Sequence, residues 1–147
     1  FEDVIDAAKN KGLQIETPKI GDGFTVGSAN CNVVYVGDDK ENLNVSSIII
    51  KLEYNELKYL FTGDAEAEIE NKIDVGKINI LKVGHHGSDT SSSEKLVKET
   101  APEVAIISVG KDNSYDHPSD KIIKRYEEVG SKIYRTDEVG NIFIEQK

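Results

Sequence analysis

The chain has 147 residues, of which 37% are hydrophobic and 31% charged; that suffices for one domain with a real core and is too mixed for disorder. Eighteen Lys and Arg against 27 Asp and Glu leave a net charge of −9, which disfavours a broad phosphate-binding groove unless bound cations change the local sign. No apolar run approaches the roughly 20 residues that span a bilayer, and no basic-then-apolar leader opens the chain.

The chain begins at Phe1 and contains no methionine, so it reads as a piece of a longer polypeptide. "EDVIDAAKNKG" carries helical apolar spacing at Val4, Ile5 and Ala8, with Gly12 suited to the stop. "LQIET" predicts a short strand, "GDG" a turn, and "FTVGS" and "CNVVYVG" two more strands. The single cysteine, Cys31, sits in the second of these as a buried, inert thiol. "DDKENLN" is a polar loop, and "SSIIIKLEY" and "LKYLFTG" form a hairpin around Asn55-Glu56. "DAEAEIENKI" is a helix opening on acids, as the helix dipole favours. "INILKVG" is a buried strand, and "SSEKLVKET" a helix with Ser92 or Ser93 as N-cap. "EVAIISVG" is a strand, "HPSDKIIKRYEEVG" a helix, and "KIYRTD" and "NIFIEQ" close the chain as strands. The rhythm after Leu57 predicts α/β layering; the hairpins before it predict antiparallel strands joined to the same body.

Three apolar strands end in the same way. "YLFTGD" runs through glycine to Asp64, "ILKVGHH" to His85 and His86, and "IISVGKDNSYDH" to Gly110 and then His117. Loops beyond strand ends converge in layered α/β sheets. All three histidines of the chain and one acid are therefore expected on one rim. Imidazole nitrogen and carboxylate oxygen suit Zn²⁺, Mn²⁺ or Fe²⁺. Ser88 follows the histidines and is placed to donate to a phosphate oxygen. Each feature also has a plainer reading: "TGD" as turn chemistry, His85-His86 as a hydrated loop, His117 as helix entry.

"FTGDAE", "ILKVGHHGSDTSSSE", "AIISVGKDNSYDHPS" and "YRTDEVGNI" together resemble the metallo-β-lactamase-fold domain of the ComEC/Rec2 competence proteins and its stand-alone relatives. The resemblance implies an α/β fold, the C-terminal part of a four-layer αββα sandwich, with residues 1–147 as a single fragment of that domain. It implies two divalent metal ions, Zn or Mn, at the sheet rim, and metal-assisted hydrolysis of a phosphodiester, as in a nuclease acting in DNA uptake. On this resemblance Asp64 matches the bridging aspartate, and His85 or His86 is a ligand or a catalytic imidazole. It leaves open whether the "HHGS" pair or His117 provides the last ligand. Ser88 and Asn113 are the substrate-binding candidates, with DNA or another phosphodiester as partner. By the same resemblance the bacterial parent works at the outer face of the cell membrane or is secreted, and is membrane-associated.

One departure is large. The family's principal H-x-H-x-D-H motif is absent, and the strand "VSSIII" occupies the place of another ligand segment, where many relatives have histidine and only Asn44, Ser46 and Ser47 are on offer here. The chain is thus expected to carry half a site, to hold no metal and show no activity alone, and to need an N-terminal portion that supplies the rest. The rival expectations are a degenerate binding module and a metallohydrolase for a small ester, lactone or cyclic nucleotide.

Overall fold

The computed structural model describes residues 2–39 and 42–145. Helix α1 (Glu2–Asn10) is followed by β1 (Gly23–Val26), β2 (Ala29–Val36), β3 (Ile48–Tyr54), β4 (Leu57–Phe61), α2 (Ala67–Glu70), β5 (Ile80–Lys82), α3 (Glu94–Thr100), β6 (Val104–Ile107), α4 (Asp120–Glu128), β7 (Lys132–Arg135) and α5 (Thr136–Val139). All seven strands form one sheet in chain order. Strands β1 to β4 pair antiparallel, and β4 to β7 pair parallel. The change falls at β4, where hairpin connections give way to helical crossovers.

The expected hairpin forms: Tyr54 pairs with Leu57 across Asn55-Glu56, and Asn55 takes the positive φ of 52° that such a turn demands. Ser93 caps α3, its hydroxyl accepting from the Leu96 N–H at 3.2 Å. Other expectations fail. Leu13–Thr17 is not a strand; it is exposed and pairs with none of the seven strands. The segment 141–145 is not a strand either. The chain turns into α5 directly after β7, and 141–145 pairs with no strand of the sheet; Gln146 of "NIFIEQ" lies outside the described residues. Helix α2 is a single turn rather than the whole of "DAEAEIENKI". Within "DDKENLN", Lys40 and Glu41 lie outside the described residues.

The sheet has two unlike faces. Leu60, Leu81, Ala105 and Ile107 point toward α2, α3 and α4 and are sealed by Ile69, Leu96, Val97, Ile122 and Tyr126. Burying each such side chain contributes roughly 1.5–3 kcal/mol. On the alternate face Leu52, Tyr59, Phe61, Lys82, Ile106 and Tyr134, in register, are only half-buried or exposed, although Cys31, Val33 and Ile80 on that face are buried. Helices α2, α3 and α4 thus form a second layer on one side of the sheet.

Candidate metal centre

Parallel pairing of β4, β5 and β6 sends the loops after these strands to one edge of the sheet, as the sequence pattern requires. The loops are fastened to one another. The His85 N–H donates to the Gly63 carbonyl at 3.1 Å, and the Ser119 N–H to that of Gly87 at 2.9 Å. Gly87 has φ +83°, and a Cβ there would lie 2.5 Å from Pro118 Cβ. Glycine is thus needed for both conformation and contact. The Asp64 N–H donates to Ser47 Oγ at 3.0 Å, which brings the segment before β3 to the same edge.

Asp64 and the three histidines meet here. His86 Nε2 lies 3.8 Å from Asp64 Oδ1. The ring centroids of His85 and His86 are 6.4 Å apart, and those of His85 and His117 are 5.8 Å apart. His86 Nδ1 faces the Ser108 carbonyl at 2.6 Å. A carbonyl only accepts, so Nδ1 carries the hydrogen, and in the neutral ring Nε2 presents a lone pair to the Asp64 carboxylate. Two acceptors face each other and require a proton or a cation between them. A hydrogen bond at the other ring nitrogen is the usual support of a metal-ligating histidine.

His85 is unusual in a second way. Its Nδ1 is buried and, among the described residues, has no hydrogen-bond partner; the Glu66 Oε1 atom stands 3.8 Å away. An orphaned buried nitrogen is costly, by roughly 1–3 kcal/mol. Both His85 (φ 46°) and His86 (φ 55°) are also held in left-handed backbone, a strain that gathers at functional sites. The His117 pKa is pushed down, first by burial, then by the positive charge that His85 and His86 can carry, with Asp89 and Asp116 opposing. Lys82, half-buried at the end of β5, is pushed down by burial while the Asp64 charge pulls it up.

The substrate-binding candidates are otherwise engaged. Ser88 is 4% exposed, and its hydroxyl pairs with that of Thr90 at 3.1 Å. Asn113 spends its amide on its own loop: Nδ2 donates to the Gly110 and His117 carbonyls, and Oδ1 accepts from the Tyr115 and His117 N–H groups. Three participants escaped the sequence reading. Glu66 Oε1 accepts from Asn44 Nδ2 at 3.2 Å and from Thr90 Oγ1 at 3.3 Å; it looked like an ordinary helix-opening acid. Ser108 acts through its carbonyl, which no side-chain pattern reveals. Glu70, 1% exposed, accepts from the Ser92 N–H at 2.9 Å and from the Ser93 N–H. Burial pushes its pKa up, against those hydrogen bonds and the Arg125 charge.

A seven-stranded sheet with α2, α3 and α4 on one face and an Asp/His rim at its loop edge defines a class of layered α/β domain. Residues 39–111 match the model of the metallo-beta-lactamase superfamily. The chain is 34% identical to ComE operon protein 3 of Bacillus subtilis (strain 168), over 96% of its own length and 19% of that protein. It is 39% identical to Recombination protein 2 of Haemophilus influenzae, over 69% of its length and 13% of that protein, and 35% identical to competence protein ComA of Neisseria gonorrhoeae, over 66% and 15%. Among solved structures, the CmlA beta-hydroxylase E377D mutant shares the fold with a TM-score of 0.55 at 13% identity, over 78% of this chain and 31% of that one. The chain belongs to the metallo-β-lactamase-like domains of the ComEC/Rec2 family. It spans less than a fifth of the length of these relatives, its largest share being 19%.

Proteins of this superfamily usually bind divalent metals, and the donors at the rim suit that role: the His86 Nε2 lone pair facing Asp64 and the orphaned His85 Nδ1 near Glu66. Among the described residues, however, no three His, Cys, Asp or Glu side chains are grouped to hold an ion. The rim contributes donors without closing a coordination shell.

Proposed function

We propose that this chain is the C-terminal portion of a metal-dependent hydrolase domain that cleaves phosphodiester bonds of DNA during DNA uptake. Asp64 and His86 would hold metal, with His85 and His117 completing or flanking the shell. Bound divalent ions supply Lewis-acid polarisation of a phosphoryl oxygen and acidify water. The observation that carries the reading is the pairing of Asp64 with the Nε2 of a histidine whose other nitrogen is anchored to a backbone carbonyl. Membership of a family whose relatives include competence proteins supports the biological setting.

The chain's own residues have definable tasks. Ser108 fixes the His86 tautomer, so the ring offers a lone pair and not a hydrogen. Ser47 holds the Asp64 backbone. His117, its pKa depressed mainly by burial, stays neutral near pH 7 and so can accept a proton or donate an electron pair. The acidic surface fits as well, because the phosphate would be attracted locally by cations and not by an extended basic groove.

In this reading the remaining ligands, and a second sheet to cover the half-exposed face, come from an N-terminal portion of the same domain, and the domain works at the outer side of the cell membrane. No described helix is long and apolar enough to cross a membrane, so any membrane attachment would lie in other segments. The open coordination shell favours a second reading for the chain taken alone: a folded binding module without hydrolytic activity. The test is nuclease assay of the full-length protein with Mn²⁺ and with Zn²⁺. Cleavage of single-stranded DNA that Asp64→Ala abolishes is the expected result. Metal retained with cleavage of esters or lactones, but not of DNA, would redirect the assignment to a small-substrate hydrolase.

A further inference from the structure

Tyr115 leaves 77% of its surface in solvent, yet it is held in place. Its ring stacks on His117 with centroids 5.8 Å apart and planes inclined by 24°. Its N–H donates to Asn113 Oδ1 at 3.2 Å. Asn113 also grips His117 at both backbone groups, accepting from its N–H at 3.0 Å and donating to its carbonyl at 2.7 Å. His117 stands edge-on to His85. A fixed aromatic face thus lies one imidazole outward from the histidine that neighbours His86 and Asp64. The residues it overlooks, Asp89, Asp116, His117 and Asp120, line a cavity of about 510 Å³ together with Tyr115.

The lining restricts what this cavity can take. Three carboxylates repel a phosphate at close range. An uncharged, flat ring with N–H donors is the opposite case. It can lie on the tyrosine face and donate to carboxylates, as the amino group of cytosine does to Asp and Glu elsewhere. We propose that this cavity receives the nucleobase adjoining the scissile phosphodiester, stacked on Tyr115 while its phosphate sits at the Asp64–His86 edge. This deepens the hydrolase reading and rests on it for the phosphate's position. A duplex keeps its bases stacked inside, so the inference also names the substrate class: a single strand or a frayed end. Bases with amino groups (adenine, cytosine, guanine) are preferred over thymine, which has no amino group and offers a single N–H flanked by two carbonyls.

Two measurements test it. In the first, the 147-residue chain is titrated with the dinucleotide d(CpC) and followed by NMR at the Tyr115 and His117 rings. The expected result is ring-current shifts, a dissociation constant raised roughly ten- to a hundredfold in Tyr115→Ala, as loss of one base–aromatic stack implies, and recovery in Tyr115→Phe. Absence of shifts at Tyr115, or equal shifts with an abasic deoxyribose phosphate, overturns the inference. In the second, the full-length protein is given a single strand and its fully abasic counterpart. Tyr115→Ala is expected to raise KM for the intact strand by about the same factor and to leave the abasic KM in place. If the intact strand is cut with KM unaffected by Tyr115→Ala, the base site falls and the hydrolase reading stands. If d(CpC) binds at Tyr115 but the full-length protein cuts no strand, the hydrolase reading falls and the base site stands.

Discussion

The two faces of the sheet are covered unequally along β4 to β6. Leu60 and Phe61 are neighbours in β4, and one is 0% exposed while the other is 40% exposed. Leu60 meets the helix-backed core, whereas Phe61 looks out between Ile50 and Lys82 in register. The difference separates two sources of order. The helix side is completed by the chain's own residues, so its stability is local. The other side carries Leu52, Tyr59, Phe61 and Ile106 at a spacing suited to a second layer, and at its edge stands the rim of Asp64 and the histidines. Stability and chemistry are thus expected to respond to different substitutions.

Leu60→Ala should break the helix-backed side most severely, by about 2–5 kcal/mol, read as a lowered denaturation midpoint. Glu70→Ala should follow at about 2–4 kcal/mol, because the Ser92 and Ser93 N–H groups would lose their acceptor inside the protein. Loss of less than 1 kcal/mol there would mean that the buried carboxylate is only a filler. Gly87→Ala drives a methyl group against Pro118 and should cost roughly 1–3 kcal/mol, with the NMR signals of His85 and His117 displaced because the two loops part. Phe61→Ala on the open face should cost under about 1 kcal/mol in this chain, since little apolar surface is recovered there. A larger penalty in the full-length protein than in the chain alone would sharpen the contrast, by locating the cover in the rest of the polypeptide.

The smallest effect belongs to neither face. Arg135 clasps Asp137 through two hydrogen bonds, of 3.1 and 2.6 Å, and the Asp137 carboxyl is held below its ordinary value by that guanidinium. A depressed carboxylate pKa adds stability that is full above the unfolded value near 4 and fades as pH falls through the folded value. Thermal midpoints of Asp137→Asn and the parent chain should therefore differ most at neutral pH and converge in acid. A gap that widened in acid would reverse the sign and refute the pairing.

Much of this was legible in the sequence because the relevant signals are local. Periodicity gave β4 to β7 and the helices between them, Asn55-Glu56 gave the hairpin, and the repeated strand–glycine–polar endings put Asp64, His85, His86 and His117 on a common edge. "LQIET" misled because alternation makes a strand only where a partner pairs with it, and this segment pairs with none. "NIFIEQ" misled in the same way beyond α5. Glu66, Glu70 and the Ser108 carbonyl were invisible for another reason. Their parts depend on which backbone and side-chain groups long-range folding brings opposite them, and composition carries no record of that. The isolated rim also explains why the coordination shell stays open: H-x-H-x-D-H, the motif that would supply the other donors, is absent from this sequence.

The most direct test of the account is metal stoichiometry in the full-length protein, measured by mass spectrometry alongside Asp64→Ala and His86→Ala. The account predicts bound divalent metal in the parent, lost in large part from each variant while the circular dichroism spectrum is retained. Equal metal content in all three proteins, or none in any, would contradict the assignment of this edge as a metal centre.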